Sequence, residues 1–279
     1  MPIVRVPGSS ANLGPGFDAL GMALALYADV GVVGVDEMPD RARVVDEHHP
    51  ATIAHRAAGG RSPVWVRSEI PMGRGLGFSG AVRVGGAVLG AIEAGVRSLD
   101  DAATRDRVLA VTADLEGHAD NVAASLLGGV VATNGRRASR VPLGVELEVV
   151  VWIPESTTST SESRTKLPDS VAFTDAVFNV SHTALLVAAL AAGDLDAIAE
   201  ATGDRLHQDV RLARAEPSRS ALRAMRDAGA VGAWLSGSGP TVACFARPSE
   251  AAALAASLPL DGRARVLGID TEGARIVSV

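Results

Sequence analysis

Lysine is almost absent from this chain: Lys166 is the only one in 279 residues. No glycine-rich segment leads into it, which excludes the P-loop, where the lysine after the glycines reaches the β/γ-phosphates. The protein-kinase pattern fails for the same reason, since its lysine must sit on a strand. Cysteine is equally scarce. Cys244 alone permits no internal disulfide and no cysteine metal cluster, and in the run Thr241-Val242-Ala243-Cys244-Phe245 it reads as a small buried apolar residue. Positive charge is not in excess: the net charge is −6 and the arginines are scattered, so no nucleic-acid groove is expected. There is no run of about 18 apolar residues, and no basic start leading into an apolar stretch. The expectation is a soluble, cytoplasmic protein with neither membrane nor nucleic acid among its partners.

Apolar residues are plentiful, at 47% of the chain, enough for a large core and one or two domains. The chain is organised around Pro71-Met72-Gly73-Arg74-Gly75-Leu76-Gly77-Phe78-Ser79-Gly80-Ala81. Its closely spaced glycines let the backbone turn sharply and present its N–H groups. Directly behind it, Ala81, Val84, Gly85, Val88, Leu89 and Ile92 recur along one face of an α-helix. A glycine loop entering a helix N-terminus gathers unpaired N–H groups at the positive end of the helix dipole, which favours phosphate. A plain turn that starts a helix would use the same residues. Gly75-Leu76-Gly77-Phe78-Ser79-Gly80 has the G-x-G-x-x-G spacing, a weak signal alone. A nucleophile elbow is excluded: Gly77-Phe78-Ser79-Gly80-Ala81 misses G-x-S-x-G by one residue, and residues 72–76 separate the serine from the preceding strand.

Residues 3–6 alternate as a strand and enter Pro7-Gly8-Ser9-Ser10-Ala11-Asn12-Leu13-Gly14-Pro15-Gly16-Phe17-Asp18, whose composition predicts a loop. Asn12 and Asp18 within it either orient a hydroxyl or ammonium group or simply cap turns. Strands are predicted over 23–35 and 41–45, joined by an acidic turn at 36–40. A short helix then runs to Arg56, and a strand over 64–70 delivers the chain to the glycine loop. A helix over 101–115 leads into Glu116-Gly117-His118-Ala119-Asp120-Asn121-Val122-Ala123, with Asp120 placed as N-cap of a helix to Leu127. Zinc spacing is missing there, whereas a carboxylate suits magnesium. A strand over 148–153 opens a second half. The Ser/Thr-rich stretch 155–166, which carries Arg164, reads equally as linker or substrate loop. Helices over 181–192, 194–206, 219–228 and 250–257, a strand–glycine turn–strand over 231–245 and a strand over 275–279 complete the chain.

Together these stretches resemble the GHMP kinases, and within them the homoserine kinases. Ser10 to Asp18 is similar to the first signature, Pro71 to Ala81 to the nucleotide loop and Glu116 to Ala123 to the substrate motif. Arg164 before Leu167-Pro168, and Leu206-His207-Gln208 leading to Arg211, match the family's arginine positions. Leu235-Ser236-Gly237-Ser238-Gly239-Pro240-Thr241 is similar to its C-terminal glycine motif. The resemblance implies an α+β fold of two domains, an N-terminal one like ribosomal protein S5 domain 2 (residues 1–147) and a ferredoxin-like one (148–279). It implies ATP-dependent phosphorylation of the hydroxyl of L-homoserine, giving O-phospho-L-homoserine on the route to threonine, with ATP and Mg2+ as cofactors. A homodimer is compatible with it.

By the resemblance, Pro71, Gly73, Arg74, Gly75, Leu76, Gly77, Ser79, Gly80 and Ala81 hold the nucleotide, and Ser79 and Glu116 the magnesium. Asn12, Asp18, His118, Asp120, Asn121, Arg164, Arg211 and Gly239 surround the amino acid, with Asn12, Asp18 and Asn121 serving catalysis. Physical chemistry agrees: two arginines suit a carboxylate, and Asp18 or Asp120 suits an ammonium. No dedicated strong base is implied, so rate rests on alignment and on stabilising the transferring phosphoryl group. Two alternatives are a GHMP kinase for another small carboxylate-bearing alcohol and a metabolite-binding paralogue weak in catalysis. The chain departs from the family's pattern at three places. Phe78 and Gly80 break the usual Gly-Leu-Gly-Ser-Ser-Ala, Arg83 stands where a small residue is expected, and Ala119 replaces a frequent proline.

Overall fold

The computed structural model describes residues 2–34, 38–99, 101–158 and 163–277. Residues 36 and 37 of the predicted acidic turn, 159–162 of the Ser/Thr-rich loop and 278–279 of the last strand lie outside the described residues. Strands β1 (Ile3–Ala11) and β2 (Leu20–Val32) pair antiparallel at the centre of a first sheet. Strand β4 (Val64–Ser68) joins β2 and carries the short β3 (Arg43–Val44) at its edge. The hairpin β5 (Val130–Thr133) and β6 (Ala138–Val141), unmarked by any local sequence pattern, pairs with the start of β2. Helices α1 (Pro50–Ala57), α2 (Phe78–Glu93), α3 (Ala102–Glu116) and α4 (Asp120–Leu127) follow. α2 and α4 pack on β1 and β2, with α1 and α3 against α2. α2 is buried almost all round from Gly80 to Ala91, which is why its sequence is apolar on nearly every side. A Cβ on Gly86 would stand 2.1 Å from the Ala51 carbonyl oxygen, so glycine there lets the α1 backbone lie directly on α2.

The second half contains β7 (Glu148–Pro154), α5 (Phe173–Ala192), α6 (Leu195–Ala201), α7 (Gln208–Leu212) and α8 (Glu216–Asp227). It continues with β8 (Ala233–Leu235), β9 (Val242–Ala246), α9 (Ala251–Ala256) and β10 (Gly262–Leu267). Its four strands form an antiparallel sheet of order β10-β7-β9-β8. Strand alternation divides that sheet between two cores. Val149, Val151, Ala243 and Phe245 join the main core with the first sheet, while Val150, Trp152, Val242 and Cys244 pack with Leu222, Met225 and Leu254 of α8 and α9. The last strand, β11 (Arg275–Val277), returns to pair with β1, so the end of the chain belongs to the first sheet.

Four local expectations are corrected. The loop predicted from Pro7 is strand as far as Ala11, because the buried Ser9 and Ser10 find partners across the molecule. Ser9 Oγ donates to Asn121 Oδ1 (2.8 Å), Ser10 Oγ lies 2.8 Å from Ser236 Oγ, and Trp234 Nε1 donates to Ser10 Oγ (2.9 Å). Asp120 is not the N-cap of α4 but its first residue, behind Ala119; its carboxylate is turned to His118 instead. α5 begins at Phe173, not at residue 181. The helix predicted over 194–206 ends at Ala201, because the Asp204 carboxylate takes the N–H groups of Leu206, His207 and Gln208 and starts α7. α5 is the one described helix long and apolar enough to cross a membrane. Its buried Asn179 donates to the Pro15 carbonyl (2.9 Å) and to Asp204 (2.7 Å), tying it to the loop after β1.

Candidate active site

Strand β4 ends against the glycine loop, and the loop's path is set by contacts with both halves of the chain. Leu76 O accepts from Ser9 N (3.1 Å) and Gly75 O from Ser236 Oγ (2.6 Å). Gly77 has φ +71°, and a Cβ there would fall 2.0 Å from Ser9 Oγ, so only glycine can enter α2 this way. Gly77 is the N-cap of α2 and offers no side chain to its first turn. The Arg74 guanidinium donates to the Pro154 carbonyl and holds the loop to β7.

The loop forms one wall of a cavity of about 280 Å³. Asn12, Asp18, Glu116, His118, Asp120, Asn121, Arg164 and Arg211 line it together with residues 71–79, although they come from β1's end, α3, α4 and the second half. Gly80, Ala81 and Gly239 do not line it: Gly80 and Ala81 are buried in the first turn of α2, and Gly239 N donates to Ser236 O within its turn.

Hydrogen bonds fix the charged and amide side chains that line the cavity. Asn12 takes φ +71° and is nearly fully buried; its Nδ2 donates to Gly237 O (3.2 Å) and its Oδ1 accepts from Asp18 N (3.1 Å). Arg164 grips Asp18 with two bonds, Nη1 to Oδ2 (2.9 Å) and Nη2 to Oδ1 (2.5 Å), and this contact raises the Arg164 pKa against the cost of burial. Arg211 donates through Nη1 to Gly237 O (3.0 Å) and approaches His207 Nδ1 (3.2 Å), while its Nε is buried with no partner. Burial, and then repulsion from Arg164, lowers the Arg211 pKa to about 10, so it stays charged at neutral pH. The Phe17 ring lies 5.4 Å from the Arg164 guanidinium carbon and 5.3 Å from that of Arg211.

His118 Nδ1 meets Asp120 Oδ1 at 2.6 Å. Burial works against its charged form, but the hydrogen bond and charge of Asp120 outweigh burial and raise its pKa. Ligand atoms of Asp18, His118 and Asp120 lie within 4.8 Å of one another, a setting for a cation. Across the cavity, Ser79 Oγ donates to Glu116 Oε2 (2.8 Å). A hydroxyl and a carboxylate at the start of an uncapped helix are a donor set that suits magnesium and phosphate oxygens.

Two family models match the sequence, GHMP kinases N terminal domain over residues 43–129 and GHMP kinases C terminal over 186–263. The chain is 40% identical to the homoserine kinase of Moorella thermoacetica, over 94% of each chain. It is 41% identical to that of Deinococcus radiodurans, over 87% of this chain and 83% of that protein. This chain belongs to the GHMP kinases. Its fold matches the crystal structure of homoserine kinase from Cytophaga hutchinsonii with a TM-score of 0.84 at 23% identity, over 99% of this chain and 97% of that one. It also matches the crystal structure of Methanococcus jannaschii mevalonate kinase with a TM-score of 0.67 at 14% identity, over 96% of this chain and 98% of that one. The α+β architecture expected from the motifs is therefore the family's own.

Some cavity residues escaped the sequence reading. Phe17, Thr158, Gly237 and Ser238 also line the cavity, and all but Thr158 lie inside the motifs named above. His207, also inside a quoted motif, stands behind Arg211. Burial lowers its pKa and keeps it neutral, so Nε2–H donates to Gly14 O (2.9 Å) and Nδ1 accepts from Arg211.

Proposed function

We propose that this GHMP kinase transfers the γ-phosphoryl group of ATP to the side-chain hydroxyl of L-homoserine, giving O-phospho-L-homoserine and ADP. The observation that carries this reading is the convergence of Arg164, Arg211, Asp18 and Asp120 on one cavity beside the glycine loop. Two guanidiniums and two carboxylates suit the two ends of an amino-acid zwitterion, and the loop suits a phosphate next to it. The similarity to curated homoserine kinases supports the same substrate.

In this reading the substrate carboxylate meets the Arg211 guanidinium where it lines the cavity, and Arg164 adds charge from beside it. Asp120 faces the substrate ammonium. Asn12 and Asn121, both fixed by hydrogen bonds, orient the hydroxyl. Asp18 spends both oxygens on Arg164, and His118 is occupied by Asp120. The chain thus works by alignment: the hydroxyl oxygen bonds to phosphorus, the bond from the γ-phosphorus to its bridging oxygen breaks, and the hydroxyl proton passes to a phosphate oxygen. Magnesium, when bound, offsets the negative charge of the phosphates, and Ser79 and Glu116 are the pair that would hold it.

The test is ADP release over a panel of alcohols. L-Homoserine should turn over far faster than mevalonate, pantoate or shikimate. Faster turnover of one of those three would reassign the substrate, and no ADP release with any of them would remove the kinase reading of the cavity.

A further inference from the structure

Glu116 holds more than Ser79. Arg83 lies one helical turn beyond Ser79 on α2, so both side chains rise from the same face. Its Nε donates to Glu116 Oε2 at 2.6 Å, the same oxygen that accepts from Ser79 Oγ. The pair is largely shielded from water, with 16% of the Arg83 side chain and 12% of the Glu116 side chain exposed. Among the described residues, Glu116 Oε1 accepts no hydrogen bond. A single carboxylate at the cavity wall therefore carries a fixed guanidinium on one oxygen and leaves the other open.

We propose that Arg83 is a built-in counter-charge at the metal carboxylate, which lets nucleotide bind without the divalent ion and reduces what the ion adds. This rests on the reading of Ser79 and Glu116 as the magnesium site. The physical argument concerns the two charges that meet Glu116. Without Arg83, an unpaired carboxylate would face the polyphosphate and repel it, and only a divalent ion could relieve that repulsion. With Arg83 in place, the carboxylate is already neutralised when nucleotide arrives. An incoming ion must then share Glu116 with a cation, and its binding is weakened. Arg83 is thus a positioning and charge-setting residue, separate from those that contact substrate. The competing role is purely structural, a pin between α2 and α3.

The experiment measures the dissociation constant of a non-hydrolysable ATP analogue by calorimetry, in EDTA and in saturating Mg2+, for the full chain and its variants. In Arg83→Met the ratio of the two constants should rise about tenfold, equivalent to roughly 1.4 kcal/mol, through weaker binding in EDTA and tighter binding with Mg2+. Arg83→Gln should move it the same way should the methionine variant fold poorly, and Arg83→Lys should keep it near the wild-type value. With Glu116→Gln in the background, Arg83→Met should no longer change the ratio. A lowered unfolding temperature with an unchanged ratio would overturn the proposal and leave Arg83 a structural pin, with the kinase reading intact. If wild type and Glu116→Gln respond to Mg2+ alike, the metal-site reading of Glu116 fails and this proposal with it.

Discussion

Arg211 is a half-buried cation at the cavity wall, and its charge is costly there unless an anion answers it. Burial lowers its pKa to about 10, its Nε has no partner, and the neutral His207 behind it holds the guanidinium against Gly237 O. Arg164 differs: it is already committed to Asp18 by two short bonds. Removing Arg211 should therefore raise the KM for homoserine, by the equivalent of about 2–5 kcal/mol for a charge pair enclosed with the substrate that loses one partner, and removing Arg164, one third exposed and already paired with Asp18, should raise it less. The KM for ATP should hardly move. Arg164→Ala should also lower kcat, because it releases Asp18, whereas Arg211→Ala should act mainly on KM. Steady-state kinetics of both variants check this; homoserine KM values equal to wild type in both would take the substrate carboxylate out of this cavity.

At the scale of the element, the start of α2 decides whether the glycine loop can work with Phe78 in it. Phe78 is half-buried and packs against the main core, with its ring edge-on to His49 at 6.2 Å between centroids. It also forms part of the cavity wall. The packing contacts point to a side chain that stabilises the loop without closing it. Phe78→Ser should then cost about 1–2 kcal/mol of stability from lost apolar burial and leave ATP affinity nearly unchanged. Thermal unfolding and nucleotide titration of that variant check it; a tenfold gain in ATP affinity at unchanged stability would show that the ring obstructs the phosphates. The loop, α2 and the motif around His118 were legible because their chemistry is local: glycine spacing, helical period and a dense polar cluster lie within a few residues. The strand from Pro7 to Ala11 was not legible. Its buried serines bond to partners 112 and 226 residues away, and no local pattern reveals that a polar segment will be satisfied so far along the chain.

The whole molecule is built so that neither half has the site alone. The first sheet and its helices bring Asn12, Asp18, the glycine loop, Glu116, His118, Asp120 and Asn121, and the second half brings Arg164, Arg211 and Gly237. Ser10, Ser236, Gly75 and Asn12 bond across the junction, and one apolar cluster runs through both sheets beneath it. This long-range assembly explains why the residues and their motifs were legible one by one in the sequence, while the pairing of Arg164 with Asp18 and of Arg83 with Glu116 emerged only in three dimensions. On the proposed function, this assembled cavity makes a phosphate ester from an amino-acid hydroxyl. The most direct measurement is phosphorus NMR of the protein with ATP, Mg2+ and L-homoserine. A phosphomonoester signal coincident with authentic O-phospho-L-homoserine should grow at the rate at which ADP appears. ATP that stays unchanged, or decays only to ADP and inorganic phosphate, would contradict the homoserine kinase function.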